Sequence, residues 1–381
     1  MTKTNKDAYE DEKRTKKKPA GKKPVKRELS KKEKAKKKRR RIVFFTLEIL
    51  ALIVMVIVLW GVLKTTDVVR PPVIIDDKEI VINDKVKEAE TTTMLGYRNI
   101  ALFGVDSTKG SLDKGTRSDT IMIASINQDT GECKLVSVYR DTYLNLSNDS
   151  YNKCNAAYAK GGPEMAINML NMNLDMNITD FVTVGFGGLT DTIDALGGVY
   201  IDVQSNEIIH LNNYQSTIAK DLKRSYTEVE SAGYQLLNGL QATGYCRIRY
   251  TAGDDFKRAE RQRTVLSAVA DQAKKASVTS LVSTAENVFS EVYTSLSLQE
   301  ISELLGDIAK YNITETEGFP KEEYRATGTV KGGSCVIPVD LETNVKWLHQ
   351  FLFGDDNYEP SETVKECSRK VAADCAEALQ K

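Results

Sequence analysis

Histidine is scarce in this sequence, which has only two in 381 residues, His210 and His349. Neither has a further ligand at a metal-site spacing, so a zinc centre is not predicted. The same scarcity excludes a serine or cysteine triad that uses histidine as its base. Walker and GxGxxG patterns are also missing, so no glycine-rich phosphate loop is expected. Chemistry in this chain must depend on carboxylates and arginines, with or without a metal ion.

CxxC pairs are missing as well. The six cysteines all follow the long apolar run described below: Cys133, Cys154, Cys246, Cys335, Cys367 and Cys375. A disulfide between Cys335 and either Cys367 or Cys375 is predicted as a C-terminal staple, because an exported domain permits disulfides. For the other cysteines, buried free thiols are an equally good interpretation.

Charge is distributed unevenly, although the chain as a whole is neutral. Residues 1–41 contain twenty Lys/Arg and six Asp/Glu, a net charge of +14, and few apolar residues. This composition predicts a disordered tail. Residues 42–63, IVFFTLEILALIVMVIVLWGVL, are long and apolar enough to cross a membrane as one helix. Because the tail adjoins this span, it is interpreted as topogenic or as binding anionic lipids, and no nucleic acid is expected as a partner.

The apolar run also predicts the location of the rest of the chain. No small-residue cleavage site follows it, so an uncleaved signal anchor is expected. The positive-inside rule then places the N-terminus in the cytoplasm and everything after Lys64 outside the cell membrane, which the chain crosses once. Residues 64–95 are predicted to form an extracellular stalk. Residues 96–353 form the main domain, and residues 354–381 are a polar, peripheral C-terminal extension.

Acidic and basic residues follow three apolar runs near the start of that domain. The runs are Ile100–Val105, TIMIASI and KLVSVY, and an antiparallel meander would bring Asp106, Arg117, Asp119 and Arg140 to one sheet edge. Two carboxylates about 4 Å apart repel by about 4 kcal/mol at an effective dielectric constant of about 20. Either the arginines neutralise Asp106 and Asp119, or a hard cation such as Mg²⁺ lies between them.

A second cluster of positive charge lies in CRIRYTAGDDFKRAERQR, residues 246–263. YCRIRY is interpreted as a strand that points Arg247 and Arg249 to the same face. A turn then opens a helix capped by Asp254 or Asp255. Along that helix Asp255, Arg258 and Gln262 share one face. So many guanidinium groups predict an external anion, a phosphate or more specifically a pyrophosphate. The alternative is a solvated basic helix face.

Six motifs of this chain resemble those of the LytR-CpsA-Psr family of bacterial cell-wall enzymes. In chain order they are NIALFGVDS, GTRSDTIMIASI, LVSVYRDTYLNL, KCNAAYAKGGP, FVTVGFGGLTDTIDALGGVYIDV and RIRYTAGDDFKRAERQR. The resemblance covers residues 96–275, the family core of a catalytic domain over 96–353. It implies an α/β fold, an αβα sandwich with a central mixed sheet. It also implies a phosphotransferase that moves an anionic glycopolymer, of the teichoic acid or capsular polysaccharide class, from undecaprenyl-pyrophosphate to the muramic acid C6 hydroxyl of peptidoglycan.

The resemblance also assigns residues to roles. It implies that Asp106 and Asp119 hold Mg²⁺ (or Mn²⁺). The pyrophosphate-binding residues that it implies are Arg117, Arg140, Arg247, Arg249 and Arg258, oriented by Asp255 and Gln262. Arg140, Asp119 and Arg117 are the implied catalytic residues. Asp119 is the first candidate for the base that accepts the hydroxyl proton, with Asp255 and Asp141 as alternatives.

Two other functions remain open at this point. The same site could hydrolyse a polyprenyl pyrophosphate with water as the acceptor, or the protein could be a non-catalytic envelope regulator. The lipid chain needs an apolar groove in either enzyme. Helices that carry Met165, Met169, Leu170, Ile193 and Leu196 are candidates, although such stripes are more typical of ordinary core.

Overall fold

The computed structural model describes residues 72–76, 78–106, 112–251 and 253–380. The predicted basic tail and membrane span, residues 1–41 and 42–63, lie outside these ranges. Within them, no helix combines the length and the hydropathy that crossing a membrane requires.

Strands and helices alternate along most of the chain. The strands are β1 Tyr97–Val105, β2 Ser118–Asn127, β3 Glu132–Val138, β4 Tyr143–Asn145, β5 Tyr151–Lys153, β6 Asp180–Val184, β7 Val199–Val203, β8 Gly233–Leu237, β9 Val292–Thr294, β10 Asn312–Phe319, β11 Arg325–Val330 and β12 Gly333–Pro338. The helices are α1 Asp84–Ala89, α2 Asn155–Leu174, α3 Phe186–Ala195, α4 Ile208–Leu222, α5 Gly239–Tyr245, α6 Asp254–Ala273, α7 Val278–Val288, α8 Leu298–Gly306, α9 Leu341–Phe353 and α10 Glu362–Leu379.

A mixed sheet forms the centre of the domain. In the described residues it has six strands in the order β10-β3-β2-β1-β6-β9. The predicted meander is confirmed, because β2 pairs antiparallel with both β1 and β3. β6 and β10 then add parallel to β1 and β3. Val105 pairs with Ser118, so the end of β1 meets the start of β2 as expected. The α/β fold with a central mixed sheet is therefore confirmed.

Helices pack on both faces of this sheet. Ala101 and Phe103 of β1 belong to the main core, together with Tyr158 and Ile167 of α2. Leu102 points to the opposite face, because side chains alternate along a strand, and it packs in a cluster that includes Leu266 of α6. The sheet thus has one face buried in the main core and one face that meets α6.

A conformational constraint divides α2 into two parts. Gly162 adopts φ 68° and ψ −156° inside the helix, and Pro163 begins the second part, where its missing N–H is tolerated. A Cβ at Gly162 would lie 2.5 Å from the carbonyl oxygen of Asp113. Glycine is required here by both its backbone conformation and this close approach.

Both ends of the described chain pack against the core, which differs from the predicted stalk and peripheral extension. Val86 and Met94 are buried in the main core, as is Val364 of α10. The buried carboxylate of Asp175 joins the two ends. Its Oδ1 accepts a hydrogen bond from Asn83 Nδ2 at 2.6 Å, and its Oδ2 accepts one from the backbone N–H of Ser361 at 2.8 Å. Sequence reasoning missed this because the partners are 92 and 186 residues apart.

The predicted C-terminal disulfide is not formed. All six cysteines, each of them among the described residues, are free and buried. Cys335 and Cys375 pack in one apolar cluster with Ile337 and Val371. Burial raises the pKa of Cys375 to about 11, so the thiol stays protonated at neutral pH. These cysteines serve as small apolar side chains of the core.

Candidate active site

A cavity of about 500 Å³ lies between the open face of the sheet and helices α3 and α6. Most of its wall is apolar, from alternate residues of three strands and one side of each helix. These residues are Leu102, Met122, Val182, Val184, Phe186, Leu189, Val265, Leu266 and Val269. One end is charged and is lined by Asp106, Asp119, Arg140, Arg247, Arg249, Arg258 and Gln262. The cavity is therefore amphipathic along its length.

Asp119, at the start of β2, connects two of the arginines. Arg140 Nη1 donates to its Oδ1 at 2.6 Å, and Arg249 Nη2 donates to its Oδ2 at 3.2 Å. Arg140 directly follows Tyr139 at the end of β3, so the meander brings these two residues together over 21 positions of sequence. Arg249 comes from the segment between α5 and α6.

Asp255, in the first turn of α6, connects the arginines on their other side. It accepts hydrogen bonds from Arg140 Nε at 3.2 Å and from Arg258 Nη2 at 3.0 Å, and Arg249 Nε lies 3.8 Å away. The N-cap of α6 is Gly253, and Asp254 and Asp255 lie within the first turn, so neither occupies the capping position. The predicted capping role is thus wrong, and Asp255 instead fixes the guanidinium groups.

Arg258 is the least satisfied of these arginines. Its side chain is 4% exposed, yet Nε and Nη1 have no hydrogen-bond partner. Buried N–H donors without partners cost stability, and each one calls for an explanation such as a bound water, ion or ligand. Burial lowers the pKa of Arg258 to about 10, with Asp255 opposing that shift, so the group remains charged at neutral pH.

Arg247 joins the charged end of the cavity to its apolar wall. Its guanidinium lies over the rings of Phe186 at 4.2 Å and Tyr214 at 5.3 Å. Its Nη2 is 3.8 Å from Asp106 Oδ2, a loose ion pair to a carboxylate that is half exposed. The rings hold the guanidinium by cation–π attraction, and its N–H groups stay available for an anion.

The arginines also determine the protonation of Asp119. Burial alone would raise the pKa of this carboxyl, but the charges of Arg140, Arg258 and Arg249 outweigh it, so the pKa lies below its usual value. For Arg140, burial acts to lower the pKa, and Asp119 and Asp255 reverse this and raise it. The charged end of the cavity therefore consists of ionised groups at neutral pH.

Two features of the predicted site differ from the structure. Arg117 is exposed, does not line the cavity, and has no ion pair or hydrogen bond to another described residue. YCRIRY is not a strand: α5 ends at Tyr245, and residues 246–251 are turn and loop. Arg247 and Arg249 still reach the same cavity, because Ile248 between them is fully buried and fixes the loop.

Sequence reasoning missed the apolar wall of the cavity. Met169, Leu170 and Ile193, considered as candidates for a lipid groove, are fully buried in the core. The wall uses the sheet face that includes Leu102 and Val182 instead. The signal was that these strands are apolar on both faces, as strands with two covered faces are.

Asp106 and Asp119 are oxygen donors of the kind that a hard divalent cation uses, although both oxygens of Asp119 already accept hydrogen bonds from Arg140 and Arg249. Both carboxylates line the charged end of the cavity, and Asp106 has only a loose ion pair. Mg²⁺ commonly uses one or two carboxylates together with waters and substrate phosphates. Within the described ranges, no group of three or more His, Cys, Asp or Glu side chains is placed to hold a metal. Only a site completed by phosphate and water fits this arrangement.

The layered fold and the cavity define an α/β protein with a binding site that is apolar along its wall and cationic at one end. The family model described as LytR_cpsA_psr family matches residues 75–349. This chain belongs to that family, which confirms the resemblance.

Named relatives and solved structures agree with membership in this family. The polyisoprenyl-teichoic acid–peptidoglycan teichoic acid transferase TagU of Enterococcus faecalis is 29% identical over 249 residues, 64% of this chain and 74% of that protein. The crystal structure of protein gbs0355 from Streptococcus agalactiae has a TM-score of 0.57 and 27% identity, and covers 72% of this chain and 92% of its own. The structure of the family protein YwtF (TagT) with bound octaprenyl pyrophosphate lipid has a TM-score of 0.50 and 23% identity. It covers 69% of this chain and 92% of its own.

Proposed function

We propose that this protein transfers an anionic glycopolymer, of the teichoic acid or capsular polysaccharide class, from undecaprenyl-pyrophosphate to the muramic acid C6 hydroxyl of peptidoglycan. The transfer takes place outside the cell, with residues 42–63 anchoring the chain in the cell membrane. Membership in the family supports this, as does the name of the TagU relative. The finer architecture implied by the family, an αβα sandwich, belongs to the same proposal and agrees with helices on both sheet faces.

The shape and charge of the cavity carry the proposal. Its charged end is lined by Arg140, Arg249 and Arg258, and the buried Nε and Nη1 of Arg258 have no partner within the chain. Its wall offers an apolar surface that includes Leu102 of β1 and Val269 of α6. A polyprenyl pyrophosphate has these two properties in one molecule, because a multiply charged head is joined to a hydrocarbon chain. Guanidinium groups match phosphate oxygens in bidentate geometry.

Phosphoryl transfer asks mainly for positioning and for stabilisation of charge. The acceptor oxygen forms a bond to the phosphorus that carries the polymer, and the bond from that phosphorus to the bridging oxygen breaks. Polyprenyl phosphate leaves with the electron pair and ends with the proton that the acceptor hydroxyl loses. Arg140, Arg249 and Arg258 are already fixed by Asp119 and Asp255, so they neutralise the leaving phosphate without reorganising.

The structure bears on the choice of base. Asp119 was the first candidate for accepting the hydroxyl proton, but the surrounding arginines stabilise its ionised form and make it a weak acceptor. We propose that Asp119 mainly positions Arg140 and Arg249. Asp106 and Asp119 are the residues that would hold Mg²⁺ or Mn²⁺. When bound, that ion supplies positive charge for the diphosphate oxygens.

A reaction with defined substrates tests the proposal. The full chain in detergent is incubated with a lipid-linked glycopolymer, with and without sacculi stripped of polymer, in the presence of Mg²⁺. Polymer should become covalently attached to the sacculi, and Arg140→Ala should abolish attachment. Arg224→Ala is a suitable control, because Arg224 pairs with Asp191 outside the cavity. Equal donor cleavage with and without sacculi, with no attachment, would favour a phosphatase. Attachment that survives both Arg140→Ala and Asp119→Ala would favour a non-catalytic regulator.

A further inference from the structure

Helix α6 separates the cavity from a groove on its other side, here called the α6 groove. The groove consists of two hollows of about 390 Å³ and 500 Å³, which both include Glu260 and Arg263 of α6. One hollow extends to Tyr200 and Tyr234 on the β7–β8 ribbon, and the other extends to Phe256 at the start of α6. Among the described residues, none that lines the groove also lines the cavity. The groove is therefore a separate surface.

Arg263 is the central feature of the groove. It is 8% exposed, and its Nε and Nη1 have no hydrogen-bond partner. No ion pair within 4.0 Å joins it to any described residue, whereas the neighbouring Lys257 and Glu260 pair with each other at 2.7 Å. Burial lowers the pKa of Arg263 from its usual value, and Tyr139, Glu260 and Glu317 oppose that shift only in part. A buried cation that lines a groove and keeps two N–H donors without a hydrogen-bond partner is a candidate to bind an anionic group from outside.

Aromatic rings lie at both ends of the groove. Tyr200 and Tyr234 stack with ring centroids 5.4 Å apart, and they are 44% and 73% exposed. At the other end, Phe256 packs edge-on against Tyr139 at 4.6 Å. The hydroxyl groups of Thr264 and Ser267 and the amide of Gln272 line the hollow nearer the tyrosines. The exposed rings of Tyr200 and Tyr234, next to these hydroxyl and amide groups, suit a sugar, which has apolar ring faces and a hydroxylated edge.

The groove reaches the reacting groups at one end. Tyr139 and Phe256, which line it, are the chain neighbours of Arg140 and Asp255. Tyr139 also lines a small hollow together with Arg140, Asp255 and Arg258, so this end of the groove lies next to the charged end of the cavity. The charges along the groove distinguish the two glycans of the reaction. The groove is lined by as many acidic as basic residues: Glu260, Asp271, Glu317, Glu322 and Glu323 against Lys257, Arg263, Lys275, Lys321 and Arg325. It therefore offers no excess of positive charge to a polymer of repeating phosphates, and it suits a strand that carries both carboxylates and amines on peptide side chains.

We propose that the α6 groove binds the acceptor, a peptidoglycan glycan strand with its peptide stems, and that Arg263 pairs with one of its carboxylates. This inference rests on the proposed function, because peptidoglycan is the acceptor only in that transfer reaction. Tyr234 and Tyr200 stack on sugar rings of the strand, and the end at Phe256 directs a hydroxyl group toward the cavity.

The test compares groove variants with matched surface controls in the full-length protein. Tyr234→Ala is paired with Tyr226→Ala, because Tyr226 is 41% exposed and outside the groove. Arg263→Gln is paired with Arg224→Gln. Co-sedimentation with stripped sacculi measures acceptor binding, and titration with polyprenyl pyrophosphate measures occupancy of the cavity. Thermal unfolding checks that each variant folds.

Each groove variant should weaken sedimentation with sacculi about tenfold. The controls should match the wild type, and polyprenyl pyrophosphate should bind all of the proteins equally. Unchanged sedimentation of Tyr234→Ala and of folded Arg263→Gln would overturn the proposal. The proposal would also be overturned if the groove variants lost affinity only for the lipid-linked polymer. It would be overturned as well if the groove bound a protein ligand but not sacculi. If the wild type binds sacculi through the groove but never attaches polymer, the groove stands and the proposed function fails.

Discussion

Arg258 and Arg261 lie less than one turn apart on α6, and each side chain is 4% exposed. Their surroundings are opposite. Arg261 is fully engaged: Nε donates to Glu207 at 2.7 Å, Nη1 to the Ile248 carbonyl and Nη2 to the Thr251 hydroxyl. Arg258 leaves Nε and Nη1 without partners at the charged end of the cavity. The comparison separates an arginine that stabilises the fold from one that the fold holds ready for a ligand.

The largest expected effect is on the structural side of this comparison. Arg261→Ala leaves the buried Glu207 without its cation, so the free energy of unfolding should fall by about 3–5 kcal/mol. A urea titration measures this. The double variant Arg261→Met with Glu207→Leu should regain most of the loss, because both charges are removed together. A stability loss below about 1 kcal/mol for Arg261→Ala would mean that the ion pair contributes little.

The second prediction concerns the ligand side. Arg258→Ala should lower the rate of polymer transfer about 100- to 1000-fold, because one preorganised donor to the leaving phosphate is lost. Its unfolding free energy should change much less than that of Arg261→Ala, since Asp255 retains Arg140. Parallel rate and urea measurements check both points. A variant that unfolds as easily as Arg261→Ala would remove the distinction between the two arginines.

How far sequence reasoning reached can be seen at particular residues. Asp119, Arg140, Asp255 and Arg258 were predicted to converge and do so, because each lies at the end of a strand or on a helix face that local periodicity already defines. The strand predicted over YCRIRY was wrong. Asn238 and Gln241 form a capping box that starts α5. Because this helix extends to Tyr245 and Cys246 is its C-cap, the residues before Arg247 are helical and cannot form a strand.

Non-local contacts account for the other differences. Helical periodicity already separated Arg258 from Arg261 and Arg263. The roles of the latter two depend on Glu207 and on the β7–β8 ribbon, which come from distant parts of the chain. Val86, Ala89 and Met94 are buried in the main core with residues of α2 and α10, which are far away in sequence. Arg117 matches a family motif, but the structure places its side chain on the surface.

His349 of α9 is another fully buried titratable group, and like Arg261 it does not line the cavity. Burial lowers its pKa to about 4, while its Nε2 donates to the Leu174 carbonyl at 3.1 Å. The unfolded chain binds a proton below about pH 6.5, and the folded chain does so only near pH 4. Stability should therefore fall as the pH is lowered through this window, by about 2 kcal/mol between pH 7 and pH 5. Urea titrations at both pH values test this, and His349→Gln should remove the dependence.

The smallest effect is expected at the apolar wall. Val182→Trp places a large ring in the cavity, so the affinity for a long-chain polyprenyl pyrophosphate should fall about tenfold. Affinity for a donor with a short lipid should hardly change, since its diphosphate still meets Arg140 and Arg258. Calorimetric titration with both lipids measures the contrast. Equal losses for the two would show that the lipid does not lie along this wall.

The most direct measurement is a crystal structure of the protein with a polyprenyl pyrophosphate. The account predicts diphosphate oxygens within hydrogen-bonding distance of Arg258 Nε and Nη1, with the hydrocarbon chain between Val182 and Leu266. A diphosphate bound outside the cavity, with these two nitrogens still unpartnered, would contradict it.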